Sequence, residues 1–131
     1  MNLPKFRFGT KKAIESLAHD LNMPYDQNMQ DWSYEVADPK DIEKYIEHYR
    51  LISDEDEKFV LMEIIIQATN DQVEGSDSLK YWDITKGLLT DDFKIHEYTI
   101  FYWSCFDSED TENTWTITPK MRDVWNDYFG T

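Results

Sequence analysis

One cysteine, three histidines, four glycines and four prolines in 131 residues leave little from which a covalent or metal-dependent site is built. Cys105 alone can neither close an intramolecular disulfide nor join other cysteines on a metal, and the reducing cytosol is the expected compartment. Gly9, Gly75, Gly87 and Gly130 are scattered and form no phosphate-cradling loop. There is also no nucleophile elbow and no helix with histidines at zinc-binding spacing. The N-terminal stretch MNLPKFRFGTKK lacks the apolar core of a signal peptide, and no aliphatic run is long enough to span a bilayer, so neither export by that route nor membrane insertion is expected. Basic residues are scarce as well: 13 against 27 acidic ones, a net charge of −14. Lys5, Arg7, Lys11 and Lys12 sit in a leader with no acid, so the other 119 residues hold 9 basic and 27 acidic groups, a net −18. Such a field repels nucleic acid and anionic membrane and draws in cationic partners at rates that depend on salt.

What is abundant is apolar and aromatic side chain, 40% and 15% of the residues, which supplies a core despite the charge. The length fits a single domain, 1–131, able to bury about two thirds of its unfolded surface without a disulfide or metal staple.

Helical periodicity recurs along the chain. Thr10 is placed to cap a helix with Ile14, Leu17, Ala18 and Leu21 on one face, ended by Asn22 and Pro24. The loop from Tyr25 to Ala37 carries Trp32, Tyr34 and Val36, whose alternation fits a brief extended piece or apolar packing ahead of the next helix. Asp38 as cap with Pro39 at the first helical position starts that helix, and Ile42, Tyr45, Ile46 and Tyr49 form its stripe. Ser53 is expected to open a third helix, with Asp56 closing a capping box and Asp54, Glu55 and Glu57 favoured in the first turn by the helix dipole. Its continuation, Phe59 to Ala68, is apolar apart from Glu63 and Gln67. A fourth helix to Leu89 should bury Leu79, Trp82 and Leu89, and a last one, from Thr118 and Pro119, carries Met121, Val124, Trp125 and Tyr128.

The segment from Thr90 to Phe106 has no wide polar face and is expected to be the central element, capped by Thr90. Two readings of it stay open. In one it is a helix, giving an all-α domain of about six helices in antiparallel pairs, HEAT-like or an irregular bundle. In the other, Tyr98 to Trp103 pairs with Trp115 to Thr118 as a hairpin at 97–118, giving an α+β fold.

Candidate chemistry is thin. His19 and His48 read as exposed helix positions, and His96 lies nine residues from Cys105, too far along one helix for a nucleophilic pair. Asp107, Glu109, Thr111 and Asn113 alternate as in a calcium loop, but Glu112 stands where glycine is required and Thr118 where a bidentate glutamate is required. No catalytic, cofactor or metal site is therefore assigned. The expected binding residues are the acids Asp54, Glu55, Asp56 and Glu57, the aromatics Tyr102 and Trp103, and the acids Asp107, Glu109, Asp110 and Glu112, an aromatic anchor with a charged rim.

The stretch from Trp82 onward resembles small bacterial helical proteins with HEAT-like helix pairs, found as immunity proteins of contact-dependent or polymorphic toxin systems. Trp82, Leu88, Leu89, His96, Thr99, Ile100, Tyr102 and Trp103 carry the resemblance, with Ile117, Thr118, Pro119, Met121 and Arg122. It covers roughly the C-terminal third and transfers no functional residue. It implies a cytoplasmic, non-enzymatic protein that neutralises a cationic toxin by covering its active site, as a monomer or weak homodimer. The alternative from composition is a helical adaptor or regulatory scaffold.

Overall fold

In the computed structural model, which describes residues 3–72, 75–108 and 114–130, the chain is all-helical, with no strand among the described residues. The helices are α1 (Lys11–Asp20), α2 (Trp32–Val36), α3 (Ile42–Leu51), α4 (Glu55–Asn70), α5 (Gly75–Asp91), α6 (Phe93–Ser104) and α7 (Thr118–Phe129), with a 3₁₀ turn, Pro39–Asp41, leading into α3. The hairpin reading of 97–118 is thus overturned, because Tyr98 to Trp103 belongs to α6; residues 109–113 lie outside the described residues. Tertiary cover outweighs the strand preference of the aromatics.

The hub is α4 rather than the segment from Thr90 to Phe106. Phe59, Val60, Leu61, Met62, Ile64, Ile65, Ile66, Ala68 and Thr69 are all buried, and α4 packs against α1, α2, α3, α5 and α6. A helix apolar nearly all round has to be enclosed in this way. α6 is apolar too, but it packs chiefly on α7 and keeps Tyr102 46% exposed.

Several helix starts follow the expected chemistry, and others do not. Thr10 caps α1 by accepting from the Ala13 N–H at 3.2 Å, and Asp38 accepts from Lys40 N at 2.9 Å. For α4 the cap is Asp54, not Ser53: its carboxylate accepts from Glu57 N at 2.9 Å, and Asp56 closes no capping box but pairs with Arg7. Thr90 caps nothing. α5 runs on through it, its hydroxyl donates back to the Lys86 carbonyl at 2.8 Å, and Asp92 takes the junction with α6. Thr118 lies within the first turn of α7, where its buried hydroxyl donates to the Trp103 carbonyl at 2.8 Å and ties α7 to α6. The alternating Trp32–Val36 segment is the short helix α2 rather than an extended piece.

The stripes of α1, α3 and α7 face the core as their spacing requires, apart from Tyr128, which stays 46% exposed while stacking on Phe93 at 3.7 Å. On α5 the buried stripe is Trp82, Thr85 and Leu89; Leu79 starts one turn before it and remains exposed. The Thr69 hydroxyl donates to the Ile65 carbonyl at 2.7 Å and accepts from the Thr85 hydroxyl at 3.1 Å, which joins α4 to α5. At the far end of α6, Cys105 adopts the left-handed conformation (φ 49°), and the Arg122 guanidinium donates to the carbonyls of Ser104, Cys105 and Ser108. That places a positive charge on the helix's orphan acceptors.

Candidate functional site: an aromatic groove over Glu63

The leader crosses α4 between α1 and α6 and forms one wall of a groove of about 450 Å³, whose other walls come from α2 and α6. Arg7 pins it there. Its Nη2 lies 3.0 Å from Asp56 Oδ1, its Nη1 donates to the Ile95 carbonyl at 3.3 Å, and its guanidinium sits 5.1 Å from the centre of the Phe59 ring. At Gly9 a Cβ would come within 2.9 Å of Val60 Cγ2, so a glycine lets the leader backbone lie directly on α4. Phe6 and Phe8 flank Arg7, are 64% and 67% exposed, and stand on the groove's rim, with Phe6 packed on Tyr98 at 5.0 Å.

Glu63 is the one acidic residue of α4 beyond its first turn, and it lies at the groove floor. Its Oε1 accepts from the Ser33 hydroxyl at 3.1 Å and its Oε2 from the Tyr34 hydroxyl at 3.2 Å. Tyr34 in turn accepts from the Trp103 indole N–H at 3.4 Å. α2 is held in place for this by Trp32, whose indole donates to the Pro24 carbonyl at 2.7 Å. Burial pushes the Glu63 carboxyl up to about 7, with the Asp31 charge acting in the same direction and the two hydroxyl donors only partly offsetting it. Burial and the Glu63 charge likewise raise Tyr34. Among the described residues no cation lies within ion-pair distance of Glu63, because Arg7 is committed to Asp56 and the Ile95 carbonyl.

The residues expected to bind a partner are spread unevenly around this groove. Tyr102 is on its rim and exposed. Trp103 is 1% exposed and acts as a core residue and hydrogen-bond donor, so it drops out as a surface anchor. Of the acids at the start of α4, Asp54 caps the helix, Asp56 holds Arg7, and Glu57 accepts from the Ser16 hydroxyl at 2.8 Å, while Glu55 is exposed. Asp107 is exposed past the end of α6; Glu109, Asp110 and Glu112 lie outside the described residues. Glu63 and Tyr34 were not singled out from the sequence. The available signal was a lone carboxylate in a ten-residue apolar run, a placement that requires hydrogen-bond partners from elsewhere in the chain.

A second polar cluster lies on the other side of α6. The Tyr49 hydroxyl is 2.6 Å from Asp92 Oδ2 and 2.8 Å from His96 Nε2, and Lys58 Nζ is 3.3 Å from the same Asp92 oxygen. Partial burial works against the Asp92 charge, yet the Tyr49 and Lys58 hydrogen bonds and the Lys58 charge hold its carboxyl below the usual range. An ionised Asp92 can only accept, so Tyr49 donates to it and must accept from His96; the imidazole therefore carries its proton on Nε2. Burial drives His96 down to about 3, and its Nδ1 has no hydrogen-bond partner among the described residues. The neutral ring is a structural strut, and no hydrogen bond joins it to Cys105 among the described residues. His48 is half-buried rather than exposed, 3.7 Å from Asp20; His19 is exposed. No helix among the described residues is long and apolar enough to cross a membrane.

No known protein family, no curated protein and no solved structure matches the chain.

Proposed function

We propose that this chain is a non-enzymatic, acidic protein-binding domain that receives a basic partner at the groove over Glu63. The observation that supports this most directly is the coincidence of exposed aromatic side chains, Phe6, Phe8 and Tyr102, with a carboxylate that has no cationic partner among the described residues. Aromatic anchors beside a desolvated charge are the usual makings of a binding hot spot. The net charge of −14 attracts cationic partners to the chain as a whole, and Glu55 and Asp107 are further exposed acids.

Within that reading, the resemblance to HEAT-like immunity proteins favours a bacterial, cytoplasmic protein that neutralises a toxin by occluding its basic active-site cleft. Capture of the product of a neighbouring toxin-like gene in rising salt is the test. A complex that forms at low salt, weakens steeply as salt rises and is lost in Tyr102→Ala supports the proposal. Absence of binding at low salt, or a salt-insensitive complex with a neutral partner, favours an adaptor role instead.

A further inference from the structure

From the shape and chemistry of the groove we infer that it is a receptor for one arginine side chain of the basic partner, its guanidinium paired with Glu63 and flanked by the rings of Phe6, Tyr98 and Tyr102. The inference rests on the basic-partner reading above and adds the residue that the partner must present.

Three observations support it. First, Ser33 and Tyr34 each occupy one position on separate Glu63 oxygens, which leaves a free lone pair on each. A planar fork with parallel N–H donors fills two such sites at once, whereas an ammonium acts as a point charge. Second, the rim is aromatic, and guanidinium is weakly hydrated and stacks on ring faces. Third, the chain already holds a guanidinium at this wall: Arg7 lies over Phe59 and bridges a carboxylate and a backbone carbonyl. The groove volume, about 450 Å³, falls within the range of small-ligand sites and admits a side chain with its flanking backbone.

Proton linkage gives the site a signature that simple surface attraction lacks. The charged and titratable groups facing Glu63 are Asp31 and Tyr34 beside and on α2, Arg7 from the leader, and Tyr98 and Tyr102 from α6. With the groove empty, the Glu63 carboxyl is pushed up to about 7, so close to half of it is protonated at neutral pH. A guanidinium stabilises the ionised form, so binding releases the proton, and affinity rises about tenfold between pH 6 and pH 8.

The experiment uses the whole chain, ¹⁵N-labelled, titrated with acetyl-Gly-Arg-Gly-amide and with its lysine and citrulline counterparts. The reporter is the Trp103 indole N–H, which donates to the Tyr34 hydroxyl that itself bonds Glu63. The expected result is a saturable shift with the arginine peptide, at least threefold weaker binding of the lysine peptide, none of the citrulline peptide, and the tenfold pH dependence. Glu63→Gln should fold and lose both the binding and its pH dependence, while Asp83→Asn, on an exposed position of α5, should change neither. Equal binding of the three peptides, a pH-independent affinity, or full retention in Glu63→Gln overturns the inference. A salt-sensitive complex with a basic protein that survives Glu63→Gln overturns the arginine receptor and leaves the broader proposal standing. Arginine-peptide binding without any basic protein partner does the reverse.

Discussion

The Tyr49 hydroxyl donates to Asp92 Oδ2 across 2.6 Å, and this contact sets the junction between α5 and α6. Asp92 stands at the cap position of α6 but makes no side-chain cap hydrogen bond, because its carboxylate is taken by Tyr49 from α3 and Lys58 from α4. Tyr49→Phe removes the donor to Asp92 and the acceptor for His96 Nε2–H in one step. Unfolding in urea should show a loss of about 2 kcal/mol, the scale of buried polar groups left unpaired. A change below about 0.5 kcal/mol would mean that water replaces the hydroxyl.

The same cluster governs acid stability. His96 has its folded value lowered to about 3, below the ordinary value of about 6.5 that the unfolded chain adopts. Between those values the unfolded state binds more protons, so the stability associated with the neutral ring is present above pH 6.5 and is lost as pH falls toward 3. A urea midpoint followed over this window should decline, and His96→Gln should flatten the decline. An unchanged slope in the variant would assign the acid sensitivity to carboxylates instead.

Glu63 acts in the opposite direction. Its folded value is raised to about 7, so the native state binds more protons between the unfolded value, about 4.3, and 7, and stability falls as pH rises through that window. Glu63→Gln removes this partly buried charge and should stabilise the domain by about 3–4 kcal/mol at pH 8, with the gain vanishing near pH 4. Thermal melts of both proteins at the two pH values measure it. Destabilisation at pH 8 would show that the carboxylate is better solvated in solution than its place at the groove floor implies.

Arg122 closes the end of α6 through the carbonyls of Ser104, Cys105 and Ser108. Arg122→Ala should cost about 2–3 kcal/mol, since three half-buried acceptors lose a charged donor, and Arg122→Lys should recover only part of that. Faster hydrogen exchange confined to the last turn of α6 and the start of α7 is the accompanying signature. Uniform acceleration over all helices would point to global destabilisation alone.

The sequence by itself determined most of the helices and their faces, and left 97–118 open between helix and hairpin until the structure placed Tyr98 to Trp103 in α6. Caps such as Thr10 and Asp38 and stripes such as Ile42, Tyr45, Ile46 and Tyr49 are local chemistry, settled within a few residues of chain. Of the aromatics it marked, Tyr102 lines the groove, while Asp107, the described acid of the loop after it, does not. Only the tertiary structure decided which of two apolar segments is enclosed. α4 and α6 look alike in composition, and the choice rests on how many neighbouring stripes each has to cover, a sum over distant elements. The site was illegible for the same reason. Glu63 becomes a groove floor only because Ser33 and Tyr34 arrive from 30 and 29 residues away, and Phe6 and Phe8 become a rim only because Arg7 finds Asp56, 49 residues along the chain. Local periodicity carries no information about such pairings, since they are settled by which polar groups the packed helices leave facing one another.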